Sequence, residues 1–70
     1  MQRVSLHSAE LEWVSYDPNG GRLQVQFVNG GRFEHRRVPR ALFNTLCEAD
    51  DPDDVFFMAI LDRYDRIRIG

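Results

Sequence analysis

The sequence predicts an α+β fold: a small antiparallel β-meander of three strands, or four, followed by two C-terminal helices packed on one sheet face. Three observations carry this expectation. Leu23, Val25 and Phe27 alternate with Gln24, Gln26 and Val28, and Phe33, His35 and Arg37 alternate with Arg32, Glu34 and Arg36, which is the period of strands with one buried face. Turn chemistry brackets these runs, with Pro18-Asn19-Gly20-Gly21 before the first and Asn29-Gly30-Gly31 between them. Beyond Pro39 the apolar spacing changes to that of a helix.

Taken in order, residues 4–8 are a candidate short edge strand. Leu11 to Tyr16 read as the next strand, with Val14 and Tyr16 facing inward and Trp13 and Ser15 outward. Leu11 breaks the alternation, which places a bulge or the strand start near Glu12. The register of the following hairpin comes from its faces. A two-residue Asn29-Gly30 loop pairs Gln26 with Phe33 and mixes polar with apolar. A three-residue Asn29-Gly30-Gly31 loop pairs Phe27 with Phe33 and Val25 with His35, with Gly31 in the left-handed position. The three-residue loop is therefore expected.

Pro39 suits a first helical turn, where its missing N–H is no loss. Leu42, Leu46 and Ala49 recur at helical spacing beside Phe43 and Cys47. Asp51-Pro52-Asp53-Asp54 has the composition of a second helix start: a carboxylate cap, a proline and acids at the positive end of the dipole. Phe56, Ile60 and Tyr64 form its inward stripe. Arg63, Arg66 and Arg68 then collect at its C-terminal end. Phe43 and Phe57 cannot both point inward at this period. Either one is exposed, favouring a protein-partner surface, or the small domain wraps both.

Residues 1–70 are expected to form one domain. With 43% hydrophobic and 29% charged residues the chain reads as folded and soluble. The single cysteine, Cys47, excludes an internal disulfide, and neither a membrane-length apolar run nor a signal-peptide pattern is present, so a cytoplasmic protein is expected. All 9 basic residues are arginine, while the formal net charge is -2. The charge is uneven: residues 1–40 are net positive and residues 41–70 net negative, with Glu48, Asp50, Asp51, Asp53 and Asp54 forming an acidic knot. Overall acidity argues against strong nonspecific nucleic-acid binding, but a local basic face remains open.

Tyr16-Asp17-Pro18, Leu23-x-Val25-x-Phe27, Asn29-Gly30, Val38-Pro39, Leu46, Ala49, Phe56, Ile60 and Tyr64, at their joint spacing, give the chain a resemblance to the KTSC domain over about residues 6–64. That family takes its name from an extension of some lysyl-tRNA synthetases and also occurs as short bacterial proteins. The resemblance implies the meander-plus-helices fold. Its association with a synthetase suggests an RNA partner. Two positions depart from the family pattern. Phe33-Glu34-His35 stands where the family has Tyr-x-Tyr. Val55-Phe56-Phe57 stands where it has Tyr-Phe-Asn.

The segment Gly31–Leu46 holds Arg32, Arg36, Arg37 and Arg40 around a strand-to-helix joint. Arginine presents a planar, permanently charged fork suited to phosphate. Strand alternation puts Arg32 and Arg36 on the outer sheet face with Trp13. An exposed ring among arginines is the usual equipment for single-stranded nucleic acid. Trp13, Arg32, Arg36, Arg37 and Arg40 are therefore the candidate nucleic-acid-binding residues, for tRNA or a single strand. The plainer reading is a solvated face neutralised by Glu34 and the acidic knot. A second function reading is protein interaction or self-association, the basic joint of one copy meeting the acidic knot of another.

No constellation supports catalysis, a metal or a cofactor. Residues 50–54 lack the glycine and distal glutamate of a calcium loop. His35 has no partner in local sequence and reads as a packed core residue. Cys47 and two scattered histidines do not make a zinc site. Both Gly-Gly pairs serve turns rather than a phosphate loop.

Overall fold

The computed structural model describes residues 2–70. Within them one antiparallel sheet holds five strands in chain order. They are β1 (Gln2–Ser5), β2 (Leu11–Asp17), β3 (Arg22–Phe27), β4 (Arg32–His35) and β5 (Arg66–Arg68). Between β4 and β5 run α1 (Arg40–Glu48), α2 (Pro52–Val55) and a π-helical turn (Phe56–Ile60). The helices cover one sheet face. Leu11, Val14, Tyr16, Leu23 and Val25 from the sheet meet Phe43, Leu46, Phe56 and Ile60 from the helical layer.

The expected elements form for the expected reasons. The pairing of β2 with β3 shifts between Leu11 and Trp13, a bulge at the exposed Glu12 that brings Leu11 onto the same face as Val14 and Tyr16. At the start of α2 the Asp51 carboxylate accepts from the Asp54 backbone N–H, with Pro52 in the first turn. Phe43 is buried and Phe57 is 42% exposed, so the helical period separates the two rings.

Four expectations are corrected. The sheet has five strands rather than three or four, and the first spans Gln2–Ser5 rather than residues 4–8. Pro39 is the extended residue that caps α1, one position before the first turn. The β3–β4 loop is three residues long but sits one residue earlier, over Val28-Asn29-Gly30. The Phe27 N–H bonds the Gly31 carbonyl at 2.8 Å, and Gly30, with φ 102°, takes the left-handed position. The Asn29 side chain accepts from the Gly31 N–H, which fixes the turn at that point. Val25 therefore pairs with Phe33 and Leu23 with His35. The displacement along β3 is two residues, so every side chain keeps its expected face.

The fourth correction concerns the chain end. The second helix does not carry Arg66 and Arg68. Its last turn is π-helical, with the Leu61 N–H bonded to the Phe56 carbonyl at 2.9 Å, and it closes at Ile60. Tyr64 packs partly buried against the core from the turn that follows. The chain then returns along β4, pairing His35 with Arg66, Glu34 with Ile67 and Phe33 with Arg68. The physical reason is the bonding capacity of β4, which would otherwise be an edge strand. The alternation Arg66-Ile67-Arg68-Ile69 suits that pairing.

Candidate functional site

The strand-to-helix joint decides where the four arginines go. Arg37 has φ 60°, a left-handed conformation unusual for a residue with a side chain. The kink is held from the β2–β3 turn: the Arg37 N–H bonds the Gly20 carbonyl at 3.3 Å and the Val38 N–H bonds the Gly21 carbonyl at 2.9 Å. Tyr16 completes the anchorage. Its buried hydroxyl donates to the Val38 carbonyl at 2.6 Å, and its ring stacks on Phe43 with centroids 4.8 Å apart. Val38 is thereby driven into the core and α1 starts on the helical side of the sheet.

The arginines separate in consequence. Arg32 precedes the kink and lies on the face free of helices, its guanidinium 5.1 Å from the Trp13 ring centroid. Arg36 shares that face but lies against Glu34, with Nε 3.3 Å from a carboxylate oxygen. Arg37 sits exposed at the kink itself. Arg40 follows it and lies 6.0 Å from the Tyr16 ring, beside the helical layer rather than with Trp13. Trp13 and Arg32 are thus brought together, Arg36 is nearby with its charge engaged, and Arg37 and Arg40 are elsewhere.

The open face has a member that sequence reasoning missed. Arg3, opposite Ser15 in the β1–β2 pairing, lays its guanidinium 3.8 Å from the Trp13 centroid. Together with Ser15, Gln24 and Arg32, these two residues line a shallow depression of about 340 Å³. Long side chains lie flat around it. Arg32 Nε donates to Gln26 Oε1 at 2.8 Å, and Gln24 and Arg36 both donate to Glu34. Asp17 is paired with Arg22 at 2.8 Å. Its carboxyl is held below the usual range, first by the Asn19 backbone N–H and then by the Arg22 side chain. Glu34 and Asp17 are therefore already engaged, whereas Arg3 and Arg32 have no carboxylate within ion-pair distance among the described residues. The signal for Arg3 was the inward-facing Val4, which turns its neighbour to the outer face.

The acidic segment is partly consumed by the fold. Asp51 caps α2. Asp53 accepts from Ser8 Oγ and from the Ala9 N–H at 3.2 Å, while Ser8 Oγ accepts from the Leu11 N–H at 2.9 Å. This ties the β1–β2 turn to the second helix. Among the described residues no group of three or more His, Cys, Asp or Glu side chains could hold a metal ion. Burial, aided by Glu48, pushes the Cys47 thiol up, so it remains protonated against the core.

His35 is fully buried on the helical side, its ring edge-on to Phe56 with centroids 5.5 Å apart. Neither ring nitrogen meets a partner in good hydrogen-bond geometry. Burial lowers its pKa, the Tyr64 backbone opposes that shift, and the charge of Arg66 adds to it. In the unfolded chain the imidazole takes a proton near its ordinary 6.5, whereas in the folded protein it does so only at lower pH. The unfolded state binds more protons between those two values, so stability falls as pH drops below about 6.5. Urea midpoints are expected to fall across that window in the wild type. His35→Phe should remove that fall and stabilise the protein at neutral pH by about 1 kcal/mol, because buried ring nitrogens without a well-aligned partner are replaced by carbon. Equal acid sensitivity in the two proteins would show that His35 is not the responsible group.

The family model of the KTSC domain matches residues 7–64. An uncharacterized protein of Stutzerimonas stutzeri (strain A1501) is 38% identical over 50 residues, covering 71% of this chain and 70% of that protein. The crystal structure of a KTSC domain protein from Yersinia pestis superposes with a TM-score of 0.93 at 25% identity, covering 99% of this chain and 97% of the other.

Proposed function

The chain belongs to the KTSC domain family, and we propose that it is a non-catalytic module that binds single-stranded RNA on its helix-free sheet face. One observation carries this reading: Trp13 is held on that face between the guanidinium groups of Arg3 and Arg32, neither of which has a carboxylate partner among the described residues. Trp13 is itself only partly buried. A base can take the place of one guanidinium on the indole, and the displaced arginine then reaches the adjoining phosphate. The exchange trades a cation–π contact for base stacking and a solvated cation for a phosphate ion pair. Arg36 lies at the rim of the face, where a phosphate would compete with Glu34 for it. Few phosphates are neutralised this way and the net charge of -2 opposes the rest of the strand. Affinity is therefore modest and falls with salt.

An NMR and fluorescence titration with a short single-stranded RNA oligomer tests this. Binding is expected to quench Trp13 and to shift amides of β2, β3 and β4 on the outer face. Trp13→Ala should weaken binding by about 1–3 kcal/mol, the usual worth of one stacked base. Arg3→Ala and Arg32→Ala should each lower the salt slope by about 1, and Arg40→Ala should leave it unchanged. Wild-type protein that fails to bind at low salt would sink the reading. Salt-dependent dimerisation in sedimentation, without RNA binding, would favour self-association instead.

A further inference from the structure

We propose that the free edge of β5 is a docking strand for an extended acidic segment of a partner protein, which would join the sheet as a sixth strand. The backbone supplies the first reason. The Arg36 N–H bonds the Asp65 carbonyl and the Ile69 N–H bonds the Arg32 carbonyl, so the odd-numbered residues of this stretch turn their polar groups toward β4. By strand alternation the N–H and C=O groups of Arg66 and Arg68 point to the open edge. They are a ready template for strand addition.

The side chains say what kind of strand fits. Arg66 and Arg68 face the helical side, 5.1 and 5.9 Å from the Phe33 ring, and neither has a carboxylate partner among the described residues. Ile67 faces the other way and is 41% exposed. An incoming strand with acids at alternate positions places a carboxylate beside each arginine and an apolar side chain beside Ile67. Arg68 also lines a depression of about 390 Å³ with Asn29, Gly30, Gly31 and Phe33, which gives an acidic side chain room at that end. A second copy of this chain is the poorer occupant. Residues whose backbone groups face the edge pair directly, so copy-to-copy pairing sets arginine against arginine, and like charges directly opposite are destabilising.

The surface is separate from the Trp13 face, and the test keeps the two apart. The protein is titrated with a peptide of alternating glutamate and valine, and with its lysine–valine counterpart, while amide shifts and hydrogen exchange are followed by NMR. The glutamate peptide is expected to shift the Arg66 and Arg68 amides and slow their exchange, leaving the β1 edge and Trp13 unaltered. The lysine peptide should do neither. Arg66→Glu combined with Arg68→Glu should weaken the glutamate peptide roughly tenfold or more and admit the lysine peptide. Equal response to both peptides, protection at β1 instead of β5, or no change at Arg66 and Arg68 in the wild type would each overturn the proposal. The wild-type arm decides it even if the double variant does not fold, and RNA-induced shifts at Trp13 stand or fall without it.

Discussion

Gly21→Ala is expected to leave much of the protein unfolded at room temperature, although it adds a single methyl group. Gly21 has φ +63°, which costs a residue with a side chain about 1–2 kcal/mol. The added carbon would also lie 2.8 Å from the Val38 carbonyl oxygen and 3.0 Å from the Val38 nitrogen. Both are backbone atoms and cannot swing aside. Relieving the clash means lifting the strand-to-helix joint off the β2–β3 turn. That breaks the Val38 N–H bond to Gly21 and strains the Tyr16 hydroxyl bond to the Val38 carbonyl, each worth about 1 kcal/mol. The total, about 3 kcal/mol or more, approaches the ~3–5 kcal/mol that a core of this size supplies. Gly30→Ala is the matched control. Its φ is +102°, but nothing lies within 4 Å of the added carbon, so only the backbone cost applies. Thermal melts followed by circular dichroism compare the two. A Gly21→Ala protein no less stable than Gly30→Ala would mean that the joint does not rest on the turn.

Phe56→Ala should be of similar severity for a different reason. Phe56 is fully buried at the centre of the core. Its ring packs edge-on against Phe27 at 5.6 Å, His35 at 5.5 Å and Phe57 at 5.4 Å between centroids. Removing it forfeits the transfer energy and leaves a void beneath β3 and β4, a loss of about 3–5 kcal/mol. Phe57→Ala, at a ring that is 42% exposed, should cost a fraction of that. Urea denaturation of the two variants measures the difference. Near-equal losses would contradict the assignment of Phe56 as the central residue.

The helical turn that carries Phe56 shows where sequence reasoning reaches and where it stops. The cap at Asp51 and the inward spacing of Phe56 and Ile60 were legible, because capping and periodicity act over a few neighbouring residues. The π-helical end was not, since it depends on how the turn meets the sheet. Arg66-Ile67-Arg68-Ile69 is the plainest loss. It carries strand alternation, yet its arginines suit the end of a helix equally well by the dipole rule. The open bonding groups of β4 decide between those readings, and they lie about thirty residues upstream. The hairpin register slipped by two positions for a local reason, the bond from the Gly31 N–H to the Asn29 side chain, which alternation of the two strands does not record.

The candidate site divided along the same line. Trp13 and Arg32 were placed on the outer face by alternation, and they lie there together. Arg3 was missed because β1 is short and at the edge. Arg40 was grouped with Arg32 by nearness in the chain, whereas the kink at Arg37 sends it to the helical side.

By itself the sequence determined the α+β class, the order of its elements from β2 to the second helix and the sheet face each residue of β2, β3 and β4 takes. A face follows from a period of two, which survives even a two-residue slip in pairing. Tertiary structure alone decided which charges meet. Arg3, Trp13 and Arg32 come from three strands, and Arg66 and Arg68 from a fourth. Their neighbours are set by pairing between distant segments and by one left-handed residue at the joint. Local patterns record the direction of a side chain, but its distance from another strand's side chain exists only once the sheet has closed.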